Sequence, residues 1–148
     1  NTLVLFSRVA THGQILFDSI NSFVKDGRKV FYVHGGVEAQ EREEVRTITE
    51  SESNAIIVAS YGTFSTGINI KRLHNIVFAS PSKSRIRNLQ SIGRVLRKGE
   101  GKDIATLYDI ADDIGGQNYT LKHLNERVNI YNNENFKYEV IRVNLRAN

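Results

Sequence analysis

The 148-residue sequence contains no cysteine, no methionine and no tryptophan, and it has a single proline. The absence of cysteine excludes disulfides, thiol catalysis, cysteine-ligated zinc and iron–sulfur clusters. The longest all-apolar run is the five residues Ala55–Ala59, whereas a membrane-spanning helix needs ~20. No secretory leader is visible, so we expect an intracellular protein without a membrane partner.

The positive charge is concentrated in one segment. The chain has 20 Lys and Arg against 16 Asp and Glu, a formal net charge of +4. Seven basic residues and one acidic residue lie between Lys83 and Lys102, so this window carries +6 and the other 128 residues carry −2. Such a segment indicates an anionic partner, either nucleic acid or a nucleotide phosphate, and a solvated basic helix face is the alternative.

Short apolar runs alternate along the chain with segments of helical periodicity. The runs predict strands at Leu3–Phe6, Lys29–Val33, Ala55–Ala59, Asn75–Ala79, Ile104–Tyr108 and Tyr138–Val143. The periodic segments predict helices at His12–Asp26, Glu38–Glu50, Ser84–Lys98 and Tyr119–Asn132. This alternation predicts an α/β domain with a largely parallel sheet that is covered on both faces.

In a parallel sheet of this type, the functional loops follow the carboxyl ends of the strands. The sequence places five loops there: Ser7–Gln14, His34–Glu38, Ser60–Ile70, Ala79–Lys83 and Asp109–Gly116. The pair Gly115-Gly116 marks a turn after the last of them. We therefore expect a core at residues 1–116 and a helix-strand extension at residues 117–148, packed on the same domain.

Two groups of residues suggest metal or acid–base chemistry only weakly. Asp109, Asp112 and Asp113 lie close together in the sequence, but we expect a solvated loop or a helix N-cap there. The four histidines are scattered without metal-like pairing, so we predict no metal site in the chain.

The basic segment contains a stripe of polar residues. On a helix, Arg87, Gln90, Arg94 and Arg97 fall within about 80° of one another. Guanidinium groups held side by side repel one another unless an anion lies between them, and each can bind phosphate oxygens bidentately. Gly93 permits a close approach beside Arg94. The pattern predicts a phosphate-binding site.

A hydroxyl-rich segment extends from Ser60 to Ile70 and contains Gly62 and Gly67. Hydroxyls and exposed backbone N–H groups suit contacts to a sugar-phosphate backbone, and such contacts position a nucleic acid without reading its sequence. An ordinary Gly/Ser/Thr loop is the alternative. No Gly-x-Ser-x-Gly nucleophile elbow occurs in the segment.

These segments resemble the characteristic motifs of superfamily 2 helicases and translocases, in the family's order and over nearly the whole chain. Gln90-x-x-Gly93-Arg94-x-x-Arg97 resembles motif VI, and Ser60 to Asn69 resembles motif V. Leu3 to Arg8 resembles motif IV. The segment usually found after motif IV is matched by Val33-His34-Gly35-Gly36 with the following Arg42-containing helix. Within the superfamily, Gly67 to Ile70 and His123 to Tyr131 are similar to recombination helicases of bacteriophages.

The resemblance implies the second RecA-like domain of a two-domain motor, a three-layer α/β fold. Arg94 and Arg97 would be arginine fingers that reach the γ-phosphate of ATP, and Gln90 would assist them. Gly67 and Asn69 would also bind the nucleotide, Asn69 at the position where many relatives have an aspartate that contacts the ribose. The nucleic-acid track would comprise Ser7, Arg8, His34, Gly35, Ser60, Tyr61, Gly62, Thr63 and Arg87.

The sequence contains no Gly-x4-Gly-Lys-[Ser/Thr] phosphate loop and no DExH-type strand end that could hold Mg²⁺. The chain also opens abruptly on Asn1-Thr2 before an apolar run. We therefore interpret it as one domain of a longer protein, in which an N-terminal RecA-like domain holds most of the ATP and Mg²⁺. We expect the isolated chain to be unable to hydrolyse ATP.

The resulting prediction is one half of an ATP-dependent DNA helicase or translocase that unwinds or branch-migrates recombination, repair and replication intermediates. We expect a monomer in the cytoplasm, or in the host cytoplasm if a phage encodes it. The expected substrate is branched or duplex DNA or an RNA–DNA hybrid. A freestanding basic nucleic-acid-binding module is one alternative, and a doubly wound enzyme that binds a small phosphorylated substrate is another.

Overall fold

The computed structural model describes residues 1–65, 70, 72–80, 104–116 and 119–145. The helix predicted at Ser84–Lys98 lies outside these residues. Within them, no helix is long and apolar enough to cross a membrane.

Five strands form one parallel sheet. They are β1 (Thr2–Phe6), β2 (Val30–Val33), β3 (Ile56–Ser60), β4 (Asn75–Phe78) and β5 (Thr106–Asp109). The spatial order is β2-β3-β1-β4-β5, and every neighbouring pair is parallel. These strands and the parallel sheet confirm the sequence prediction, because buried parallel strands read as continuous β-branched and apolar runs.

In the part of the chain that the structure describes, four helices accompany the sheet: α1 (Gln14–Phe23), α2 (Ala39–Ser51), α3 (Tyr61–Ser65) and α4 (Tyr119–Asn133). A π-helical turn at Val9–Gly13 precedes α1. The predictions for α2 and α4 agree with the structure to within about a residue at each end. The helix predicted at His12–Asp26 is too long, because the chain becomes extended at Val24 and turns towards β2.

The helices cover both faces of the sheet. Side chains alternate along β1, so Leu3 and Leu5 enter one apolar cluster, whereas Val4 and Phe6 enter the other. The first cluster receives α2 and α4, and the second receives the apolar side of α1. Full burial of each such side chain stabilises the fold by ~1.5–3 kcal/mol. The core of the three-layer arrangement therefore lies on both faces of the sheet around β1.

The strand predicted at Tyr138–Val143 is wrong. Residues 136–145 have no regular secondary structure, and Val140, Ile141 and Val143 are mostly exposed. High β-propensity becomes a strand only through pairing with a neighbour, and no described strand pairs with this segment.

Because all five strands are parallel, their carboxyl ends lie at one edge of the sheet. Phe6, Val33, Ser60, Phe78 and Asp109 are the last residues of the strands. The five predicted loops therefore begin at this edge, which we call the carboxyl edge.

Candidate nucleic-acid interface

Three of the predicted contact segments begin at neighbouring strands of the carboxyl edge. Ser7 and Arg8 follow β1, His34 and Gly35 follow β2, and residues 60–63 join β3 to α3. Because β3 lies between β2 and β1, the three segments start side by side. Gly67, Asn69, Arg87, Gln90, Arg94 and Arg97 lie outside the described residues.

Arg8 lies at the start of the π-helical turn, with extended backbone and an exposed side chain. Its carbonyl oxygen accepts hydrogen bonds from the N–H groups of His12 at 3.2 Å and Gly13 at 2.8 Å. No Asp or Glu in the described part of the chain lies within ion-pair distance of its guanidinium. The turn thus holds the backbone of Arg8 and leaves a positive charge at the carboxyl edge.

Gly13 allows the π-helical turn to pack directly on β1. A Cβ at this position would lie 2.3 Å from the ring of Phe6, which is fully buried. A π-helical turn is an uncommon feature that occurs often at functional sites, and here it fixes the loop after β1 against the sheet.

Ser80 connects the carboxyl ends of β1 and β4. The N–H of Ser7 donates to Ser80 Oγ at 3.3 Å, and Ser7 Oγ donates to the Ser80 carbonyl oxygen at 3.3 Å. His12 Nδ1 lies 2.7 Å from Ser80 Oγ. Neither His12 nor Ser80 was among the predicted site residues, because no sequence signal pairs residues 68 positions apart.

The side chain of His34 is oriented by its own turn. The N–H of Gly36 donates to His34 Nδ1 at 3.1 Å, so in the neutral ring the proton resides on Nε2 and that nitrogen is a donor. The ring also packs on Tyr32 with centroids 5.0 Å apart. This geometry presents an N–H donor near the end of β2, while the adjacent Gly35 is exposed.

Tyr32 joins a row of rings under this part of the edge. It stacks on Phe17 of α1 at 5.2 Å and contacts Phe6 at 5.8 Å. Burial, and then the negative charge of Asp18, raise the pKa of the Tyr32 hydroxyl. Tyr32 thus connects the His34 ring to Phe6 of the core through ring contacts.

The first residues after β3 form α3 (Tyr61–Ser65), where the sequence predicted a loop. Ser60 acts as its N-cap: Ser60 Oγ accepts the Thr63 N–H at 3.4 Å and lies 2.8 Å from Thr63 Oγ1. Ser60, Tyr61 and Thr63 are buried, whereas Gly62 is exposed. The hydroxyls of Ser60 and Thr63 therefore shape the turn, and Gly62 is the member of this group at the surface.

The environment of Asp109, at the end of β5, differs from the sequence prediction. Asp109 was predicted in a solvated loop or an N-cap, but it is largely buried and pairs with Arg127 of α4 at 2.7 Å. Tyr131 donates a hydrogen bond to the same carboxylate. Among the described residues, no group of three His, Asp or Glu side chains is placed to hold a metal ion.

The chain is similar to known helicases in both sequence and fold. The model of the helicase conserved C-terminal domain matches residues 1–99. The ATP-dependent DNA helicase uvsW of Enterobacteria phage T4 is 42% identical over 158 aligned positions, which cover 98% of this chain and 31% of the relative. The chain thus spans about a third of that relative.

A solved structure, domain 2 of the DEAD-box helicase Mss116p bound to an RNA duplex, matches with a TM-score of 0.68 and 16% sequence identity. The match covers 89% of this chain and 48% of the other. It shows that the fold is RecA-like, as the sequence motifs predicted.

Proposed function

Since this chain belongs to the family of helicase conserved C-terminal domains, we propose that it is the second motor domain of an ATP-dependent DNA helicase or translocase. The observation that carries the proposal is the placement of the motif IV, post-motif IV and motif V segments side by side at the carboxyl edge. The similarity to uvsW supports DNA as the nucleic acid.

In this proposal, the three segments form a track for the sugar-phosphate backbone. Arg8 supplies a positive charge, His34 Nε2–H an oriented donor, and Gly35 and Gly62 exposed backbone positions. Ser7, Ser60, Tyr61 and Thr63 hold the loops, and Arg87 extends the track. Contacts of this kind position DNA without reading its sequence, as a motor that moves along DNA requires.

The same proposal assigns the nucleotide contacts to residues outside the described part of the chain. Arg94 and Arg97 act as arginine fingers toward the γ-phosphate of ATP, and Gln90 assists them. Gly67 and Asn69 contact the nucleotide, Asn69 through its side-chain amide. An N-terminal RecA-like domain of the same protein holds most of the ATP and its Mg²⁺, because this sequence has no phosphate loop.

The motor then works by closure of the cleft between the two domains. Closure brings Arg94 and Arg97 to the γ-phosphate, where their charge stabilises the charge that develops during hydrolysis. Opening after hydrolysis shifts the track of this domain relative to that of the other domain. Alternation of the two states moves the protein along DNA.

The wider assignment follows the same reasoning. We propose residues 1–116 as the motor core and 117–148 as an extension, of which α4 contributes Tyr131 to the first apolar cluster. The substrates proposed are branched or duplex DNA, or RNA–DNA hybrids, formed during recombination, repair and replication. The protein would act as a monomer in the cytoplasm of the host cell, and the isolated chain would not hydrolyse ATP.

The test is the DNA-stimulated ATPase of the full-length protein. Arginine fingers contribute ~10³–10⁵ in rate in GTPases, so Arg94→Ala is expected to reduce the rate toward that extent. Arg28→Ala is the matched control, because Arg28 is exposed and paired with Asp26 before the amino end of β2. A near wild-type rate for Arg94→Ala would refute the arginine-finger assignment. DNA binding without any ATPase would favour a nonmotor binding module instead.

A further inference from the structure

The hydrogen bonds around Ser80 join two segments to which the proposed function gives different tasks. Ser7 and Arg8 precede His12 in the loop assigned to DNA. Ser80 is the last described residue before the segment 81–103, which carries Gln90, Arg94 and Arg97 in the sequence. His12 bridges the two segments at 2.7 Å from Ser80 Oγ, and Ser7 also bonds Ser80.

The polar groups at this junction satisfy one another. Ser80 Oγ accepts the Ser7 N–H and shares a second hydrogen bond with His12 Nδ1. The reciprocal bond from Ser7 Oγ to the Ser80 carbonyl oxygen closes the junction on its other side.

His12 is also tied mechanically to Arg8. Its N–H donates to the Arg8 carbonyl oxygen at 3.2 Å, within the same π-helical turn. The turn cannot slide toward the sheet, because Gly13 already rests against the Phe6 ring. The backbone of the π-helical turn therefore connects Arg8 directly to His12.

We propose that His12 is a positioning residue that couples DNA binding at Arg8 to the chain leaving Ser80 toward the arginine segment. The inference rests on the proposed function and adds a route by which DNA stimulates ATP hydrolysis. Coupling between two sites requires a physical element whose state both sites influence, and in this proposal the His12–Ser80 bond is that element.

The test compares ATPase rates of the full-length protein with and without DNA. His12→Ala should lower the stimulation by DNA about fivefold, the factor that one net hydrogen bond contributes. The rate without DNA and the Kd for DNA should remain at the wild-type values. Ser80→Ala should cause a loss at least as large, because it removes the His12 bond and also the acceptor of the Ser7 N–H. The double variant should lose no more than Ser80→Ala alone.

A conservative variant separates positioning from simple support of the fold. His12→Asn places an amide near the position of Nδ1 and should restore most of the stimulation. His123→Ala, at a half-buried histidine of α4, is the control and should leave the stimulation unchanged.

The inference is overturned if His12→Ala leaves the stimulation intact, or if the rates with and without DNA fall in the same proportion. It is also overturned if His12→Asn behaves like His12→Ala. A wild-type protein that hydrolyses ATP without any response to DNA would instead refute the proposed function, which keeps the two failures distinguishable.

Discussion

Arg127 of α4 and Asp109 of β5 form a buried bidentate ion pair. Arg127 Nε lies 2.7 Å from Asp109 Oδ2, and Nη2 lies 2.8 Å from Oδ1. The two side chains are 2% and 9% exposed, and Tyr131 donates a third hydrogen bond to the carboxylate at 2.5 Å. The pair fixes α4 to the carboxyl end of an edge strand.

Loss of the Arg127 side chain is expected to be costly. Arg127→Leu leaves the Asp109 carboxylate buried without its cation, which destabilises a protein by ~3–5 kcal/mol. Equilibrium urea unfolding measures this loss. Arg28→Ala is the control, because its pair with Asp26 is 37% and 50% exposed, and exposed pairs contribute little to stability. Similar effects of the two substitutions would contradict the prediction.

The hydroxyl of Tyr131 makes stability depend on alkaline pH. Burial, and then the Asp109 charge, raise the pKa of Tyr131 above its usual value of 10.0. Above about pH 10, the unfolded chain releases this proton while the folded chain retains it, so stability falls by up to ~1.4 kcal/mol per pH unit. Unfolding free energies measured from about pH 8 to about pH 11, on either side of the ordinary tyrosine pKa, should decline less steeply with pH in Tyr131→Phe than in the wild-type protein. Parallel curves for the two proteins would disprove this contribution.

Gly13→Ala is expected to strain the contact between the π-helical turn and β1. The new Cβ would lie 2.3 Å from a fully buried Phe6 ring. Overpacking of this kind costs ~1–3 kcal/mol and outweighs the ~1 kcal/mol that alanine gains in helix propensity. Thermal and urea unfolding should show the loss, whereas Gly35→Ala, with nothing within 4 Å, should be nearly neutral. A stabilised Gly13→Ala protein would contradict the described contact.

Arg8→Ala tests the proposed track separately from ATP hydrolysis. Each phosphate neutralised by an arginine adds ~0.9 to the slope of log K against log salt concentration on duplex DNA. The full-length Arg8→Ala protein should therefore bind DNA with a slope smaller by about 1. Arg28→Ala, before the amino end of β2, should retain the wild-type slope. An unchanged slope for Arg8→Ala would exclude a direct phosphate contact by Arg8.

The sheet was predictable because each strand has a recognisable local sequence pattern. Buried parallel strands produce short continuous apolar runs, and the runs at Leu3–Phe6 and Ala55–Ala59 correspond to β1 and β3. The run at Tyr138–Val143 is also rich in β-branched residues, but it contains Glu139 and Arg142 and forms no strand. Composition indicates the ability to pair, and only the tertiary structure supplies the partner.

The candidate site was predictable in its location but not in its internal contacts. Parallel topology places the loops after β1, β2 and β3 at one edge, so the motif segments had to be neighbours. The capping of α3 by Ser60, however, turns predicted surface hydroxyls into buried ones. The contacts of Asp109 with Arg127 and of His12 with Ser80 join distant parts of the chain, and no periodicity records such pairs.

The central position of β1 has a consequence for synthesis. Thr2 pairs with Ile56 on one side and with Asn75 on the other, so β1, which is made before the other four strands of this sheet, has both partners only after β3 and β4 have emerged. At ~5–20 residues per second, the delay before β4 appears is roughly 4–15 s. Three side chains that are completely buried in the folded protein, Leu3, Leu5 and Phe6, lack the partners on β4 during that interval. The central strand of the sheet is therefore completed by the later part of the chain.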